Sequence, residues 1–226
     1  MNPHTNIVRI KAVANRLEAL NQKVVFVGGA TVSLYATRQV FEVRPTDDVD
    51  VIIEVLNYAK GTELDEKLRA IGFSNDIDSG VICRWRIENI IVDVMPTTVA
   101  FVGFSNKWYS DGYNNAVDHT IDDRCTVKIL SAPYFIATKI EAFKNRGKGN
   151  GRTSHDFEDI IYVLENRVQV WEEMDQVVGP VKDYLRFEFQ VLLNRPGILE
   201  WIDCHVERGS PPLTYYILDK LKEFAQ

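Results

Sequence analysis

Val27-Gly28-Gly29-Ala30 and, after a helix-length gap, Thr46-Asp47-Asp48-Val49-Asp50-Val51-Ile52-Ile53-Glu54-Val55 are the two segments on which the reading of this chain turns. A strand that ends in Gly-Gly can turn sharply and carry bare backbone N–H groups up to a phosphate, because glycine has no Cβ and tolerates positive φ. In the second segment Val49, Val51, Ile53 and Val55, two apart, are all aliphatic. A strand has a side-chain period of two, so Asp48 and Asp50 fall together on the opposite face. Two carboxylates one pleat apart repel each other, and a divalent cation held between them removes that penalty. An alternating strand with a polar outer face has the same pattern, so the pair alone leaves both readings open.

Asp93 adds a third acid. It stands in Ile90-Ile91-Val92-Asp93-Val94-Met95, where every neighbour is apolar. A carboxylate inside a buried strand is costly unless it is paired or metal-bound. No Lys or Arg is close to it in sequence, although a distant one can pair with it. Three carboxylates on neighbouring strands are what a two-metal phosphoryl-transfer centre requires.

Gly28-Gly29, Arg44-Pro45-Thr46-Asp47-Asp48-Val49-Asp50 and Asp93 together resemble the DNA polymerase β-like nucleotidyltransferase superfamily and, within it, the AbiEii/MenA-type toxins. Ser131-Ala132-Pro133-Tyr134-Phe135-Ile136-Ala137-Thr138-Lys139-Ile140-Glu141-Ala142-Phe143 and His155-Asp156-Phe157-Glu158-Asp159-Ile160 are similar to that family's lysine-bearing helix and its later Arg-Asp-x-x-Asp-Leu element. The resemblance spans residues 20–165. It implies an α+β fold: a small mixed sheet with helices on one side, followed by a C-terminal helical bundle. Domain boundaries follow at 1–130 for the nucleotidyltransferase core and 131–226 for the helical part.

The resemblance also implies roles. Asp48, Asp50 and Asp93 would hold Mg²⁺ or Mn²⁺, and with Lys139 and Asp156 would form the catalytic set. Gly28, Gly29, Thr31, Arg44, Lys139 and Arg152 would bind the nucleoside triphosphate. The acceptor would be an RNA, at the 3′ end of a transfer RNA, and the partner an antitoxin protein. Two departures stand out. Ala30 occupies the place where many members have Ser or Thr, and His155 stands where the later element has Arg, a role Arg152 could take over. Transfer to a small hydroxyl compound of the aminoglycoside kind, and nucleotide binding without turnover, are the alternatives.

Composition frames these readings. With 226 residues, 46% hydrophobic and 26% charged, the chain is long enough to bury a sizeable core. The net charge of −6 speaks against a surface that binds nucleic acid over its whole extent, though not against a local patch. Such a patch is offered by Lys139, Lys144, Arg146, Lys148 and Arg152, interspersed with Gly147, Gly149 and Gly151. Lys144, Arg146 and Lys148 read equally as a phosphate-gripping loop or as a solvated helix end, whereas Lys139, on an otherwise apolar helical segment, reads as functional. Nothing resembles a signal peptide, and no apolar run reaches the ~18 residues of a membrane span. Cys83, Cys125 and Cys204 are widely spaced and read as reduced thiols, so a cytoplasmic protein is expected.

Local patterning predicts helices over 6–21, 30–40, 58–71, 132 onward and 171–193, the last interrupted at Gly179-Pro180. Strands are expected at 23–28, 81–87 and 126–130, with the Glu88-Asn89 turn joining the second to the Asp93 strand as a hairpin. Trp108, Tyr109 and Tyr113, in an irregular stretch over 100–120, either stack a base or cover a core edge.

Overall fold

A computed structural model describes residues 4–38, 43–55, 57–97, 106–147, 149–208 and 213–226. The chain divides into two compact units, Met1–Leu34 with Phe41–Ser131, and Tyr35–Val40 with Ala132–Gln226.

The first unit is built on one seven-stranded mixed sheet. Its strands are β1 (Val24–Val27), β2 (Asp48–Ile53), β3 (Ser74–Asn75), β4 (Arg84–Ile87), β5 (Ile90–Pro96), β6 (Val117–Asp122) and β7 (Cys125–Ile129), ordered β3-β4-β5-β2-β1-β7-β6. β2 runs parallel to β5 and antiparallel to β1, while β1 runs parallel to β7. The three flanking pairings, β3–β4, β4–β5 and β6–β7, are antiparallel. The centre is β2, whose Val49, Val51 and Ile53 are buried as the alternation requires. Helix α1 (His4–Leu17) packs on β2 and β7 through Ile10, Val13 and Leu17, spaced three and four apart along one face.

Helix α2 (Tyr58–Ala70) opens on Asn57, whose side chain accepts the Lys60 N–H at 3.0 Å. It ends at Gly72, which takes the left-handed φ of +97° expected of a glycine just past a helix. Two expectations are revised in this unit. The segment after Gly28 is a 3₁₀ helix over Gly29–Tyr35, where the Thr31 N–H reaches back only three residues to the Gly28 carbonyl. β-branched Thr31 and Val32 disfavour a regular first turn there. The stretch expected to be irregular over 100–120 contains a short helix, α3 (Tyr109–Asn114), and ends inside β6, which begins at Val117. Trp108 and Tyr113 are buried, and the Tyr113 hydroxyl donates to the Lys23 carbonyl at 3.0 Å, so these two rings close a core edge. Part of that stretch, and the end of the segment predicted as a helix over 30–40, lie outside the described residues.

The second unit is helical: α4 (Ala132–Arg146), α5 (His155–Asn166), α6 (Val170–Gln176), α7 (Pro180–Leu193), α8 (Ile198–His205) and α9 (Thr214–Phe224). Buried along most of its length, α4 packs against α5, α6 and α7. Ser154 caps α5 by accepting the Phe157 N–H, and Phe157, Ile160, Ile161 and Leu164 form its inner face. The Gly179-Pro180 break separates α6 from α7 because proline, at home in a first turn, cannot continue a preceding helix. Among the described residues no helix is long and apolar enough to cross a membrane.

One buried side chain fixes the approach to β2. Asn6, 3% exposed on α1, donates to the Arg44 carbonyl and accepts from the Thr46 N–H at 3.2 Å, and Arg9 donates to the Thr46 carbonyl. Replacing Asn6 by Ala leaves the buried Thr46 N–H without its acceptor and removes the donor to the Arg44 carbonyl, so Asn6→Ala should lower unfolding free energy by about 1–3 kcal/mol. Urea unfolding followed by circular dichroism measures it.

Candidate functional site

The registers of three strand pairs place the charged residues. Arg84 on β4 faces Asp93 on β5, Asp93 faces Asp50 on β2, and Asp50 faces Val27 on β1, the residue before Gly28. Residues paired across neighbouring strands share a face of the sheet, and Asp48 joins that face two residues before Asp50. The outcome is a row of charge across three strands, β4, β5 and β2, with three carboxylates whose ligand oxygens all lie within 4.8 Å of one another. Asp93 is buried at 8% exposure, and Asp48 and Asp50 are half-buried.

Sequence reasoning missed Arg84. Its Nε donates to Asp93 Oδ1 and its Nη2 to Asp93 Oδ2, both at 2.8 Å, a bidentate pair, and Nη2 lies 3.4 Å from Asp48 Oδ2. Hydrogen bonding to Asp93 raises the Arg84 pKa against the opposing effect of burial, so the guanidinium stays charged. Cys83 lies buried next to it, and burial, followed by the Asp93 charge, pushes its thiol up to about 11. A thiol held there is neutral and unreactive at ordinary pH. Cys125 is also buried, and Cys204 is exposed.

Gly28 presses close to the acids. Its φ is +73°, and a Cβ built on it would stand 2.0 Å from Asp50 Oδ2. Glycine is therefore required twice over, for the backbone conformation and for the space. Thr31 is fully buried and its hydroxyl donates to the Gly28 carbonyl at 2.9 Å, which closes the turn from inside. The donor set fits a hard divalent cation: three carboxylates and one guanidinium leave two negative charges, supplied by oxygen ligands of the kind Mg²⁺ and Mn²⁺ prefer.

The second unit holds its own charged cluster. Lys139 Nζ is 2.6 Å from Asp159 Oδ2 and 3.3 Å from Asp156 Oδ1, and all three residues are at most 5% exposed. Arg146 closes a fork on Asp156 with contacts of 2.7 and 2.8 Å. Burial acts to raise the Asp156 pKa, but Arg146 and Lys139 outweigh it and hold that pKa below the usual carboxylate range. Stability from this pairing is complete above the ordinary aspartate pKa of about 4 and is lost as pH falls through the lowered value.

The basic run after Lys139 is paired as well. Lys144 meets Glu141 and Glu188, and Arg152 lies 2.8 Å from Glu200. Gly151 has a packing role, since a Cβ there would meet the Trp201 ring at 2.6 Å. Arg44 is half-buried and contributes its carbonyl to Asn6, and Lys148 lies outside the described residues.

No protein-family model matches this chain, and no curated protein matches it in sequence. Among solved structures, an antigenic nucleotidyltransferase-like protein from Paracoccidioides brasiliensis is similar with a TM-score of 0.55 and 17% identity, over 93% of this chain and 97% of that one. The antibiotic-resistance factor ANT(2'')-Ia is similar with a TM-score of 0.49 and 14% identity, over 85% of this chain and 96% of that one. The first likeness carries the fold: this chain has the α+β architecture of a nucleotidyltransferase-like protein.

Lys139→Ala would leave the two buried aspartates short of positive charge. Breaking a buried pair by removing one partner typically costs about 3–5 kcal/mol, so this variant should lose stability on that scale. Adding Asp159→Asn to it should recover a large part, and denaturant unfolding of both variants measures the difference.

Proposed function

We propose that this chain is a divalent-cation-dependent nucleotidyltransferase that moves a nucleoside monophosphate from an NTP to an acceptor hydroxyl. The observation that carries the proposal is the meeting of Asp48, Asp50 and Asp93 beside a glycine turn too tight for any Cβ. Held by these carboxylates, Mg²⁺ or Mn²⁺ would polarise the phosphoryl oxygens and lower the pKa of the attacking hydroxyl. The chain's own share is placement. Gly28 and Gly29 let backbone come close to phosphate, Thr31 holds their turn, and Asp93, the most buried of the three acids, anchors the carboxylate set.

Lys139, Asp156, Arg44 and Arg152 keep the roles that the sequence resemblance implies, with Lys139 and either Arg44 or Arg152 offsetting triphosphate charge. Engaging phosphate would require Lys139 to share its ammonium with Asp159 and Asp156. By the same resemblance the acceptor is RNA, at a transfer RNA 3′ end. The setting would be a cytoplasmic toxin of the AbiEii/MenA type restrained by an antitoxin protein.

A second reading, transfer to a small hydroxyl compound, is favoured by a specific observation. Lys144, Arg146 and Arg152 all meet carboxylates of their own unit, which lessens the positive charge offered to an RNA backbone. Incubating the protein with each labelled NTP, Mg²⁺ and either total RNA or a small polyhydroxyl acceptor separates the two by where the label goes. Label in neither, with NTP still bound, would make this a nucleotide-binding protein without turnover.

Asp48→Asn and Asp50→Asn should abolish transfer while thermal melts without metal hold steady or rise, since each removes one charge from a repelling set. Asp93→Asn should also abolish transfer but lower the melting temperature, because it breaks the bidentate pair with Arg84. A transfer assay with calorimetric melts on the three variants checks this contrast, and wild-type transfer in any of them would remove that residue from the site.

A further inference from the structure

Arg84 does something that the nucleotidyl-transfer reading leaves unused. It stands opposite Asp93 in the hairpin register, grips both carboxylate oxygens, and extends the same Nη2 toward Asp48. Its side chain is 23% exposed, against 11% for Asp93 and 34% for Asp48, so this pairing lies in the partly dry floor of the acidic cluster. Charge–charge interactions there are screened less than at the open surface.

Two consequences pull in opposite directions. Without a divalent ion, three carboxylates this close would spread apart, and the guanidinium supplies the charge and fixed fork that keep Asp93 in place. With a divalent ion present, the same positive group repels it and competes for the Asp93 oxygens. We propose that Arg84 is a built-in counter-cation of the Asp48–Asp50–Asp93 cluster, a positioning residue that keeps the site assembled when metal-free and sets its divalent-cation affinity lower than the three acids alone would give. The proposal rests on the reading of that cluster as a metal site.

The test is titration of the whole protein with Mn²⁺ alone, following free Mn²⁺ by electron paramagnetic resonance, together with thermal melts with and without the ion. Arg84→Met and Arg84→Gln should bind Mn²⁺ at least tenfold more tightly than wild type. Their metal-free melting temperatures should fall, and saturating Mn²⁺ should restore most of the loss. Arg84→Lys keeps the charge and loses the fork, so its affinity should stay near the wild-type value, an outcome that a merely structural ion pair would not produce. Unchanged or weaker Mn²⁺ binding in both neutral variants would overturn the counter-cation role while leaving the metal site standing. Wild-type protein that takes up no more Mn²⁺ than Asp50→Asn would instead overturn the metal reading itself, and this inference with it.

Discussion

Mutual repulsion among Asp48, Asp50 and Asp93 is the constraint around which the first unit is organised. Like charges this close are tolerated only where something positive is placed among them, and the strand order puts Arg84 there. The parallel pairing of β2 with β5 sets Asp50 opposite Asp93, and the antiparallel hairpin sets Arg84 opposite Asp93 from the other side. The apolar faces of the same strands supply the burial that holds this register. A slip of one residue would turn Val49 and Val51 outward and Asp50 into the core.

The second unit handles buried charge differently. Lys139, Asp156, Asp159 and Arg146 form a charge-balanced set, two cations to two anions, in which each buried carboxylate has a cation within hydrogen-bond distance. Such clusters gain little net stability over apolar packing, but they penalise the loss of any member heavily. The carboxylate row of the first unit has excess negative charge by contrast. That asymmetry is the physical reason for assigning cation binding to the row.

How legible all this was in the sequence depended on how local each signal is. The alternation in β2, the Gly72 terminus of α2 and the Gly179-Pro180 break are written within a few residues, and each is found where local rules place it. Arg84 was missed although its signal was present. A two-residue Glu88-Asn89 turn pairs Ile87 with Ile90, and counting outward by the same rule pairs Arg84 with Asp93. The meeting of β2 with β5 could not be counted in this way, since parallel strands are joined by long crossovers that leave no local mark on register. The packing of Gly151 on Trp201 is non-local in the same sense, and the glycine run therefore read as a possible phosphate loop.

Diffraction from crystals grown with Mn²⁺, with data collected at its absorption edge, tests cation binding by Asp48, Asp50 and Asp93 most directly, because it locates the ion without reference to activity. One or two anomalous peaks are expected among the carboxylates of Asp48, Asp50 and Asp93, with Arg84 retained beside Asp93 or displaced from it. Well-ordered crystals with no peak at those carboxylates, or with Mn²⁺ bound only by other groups, would contradict it.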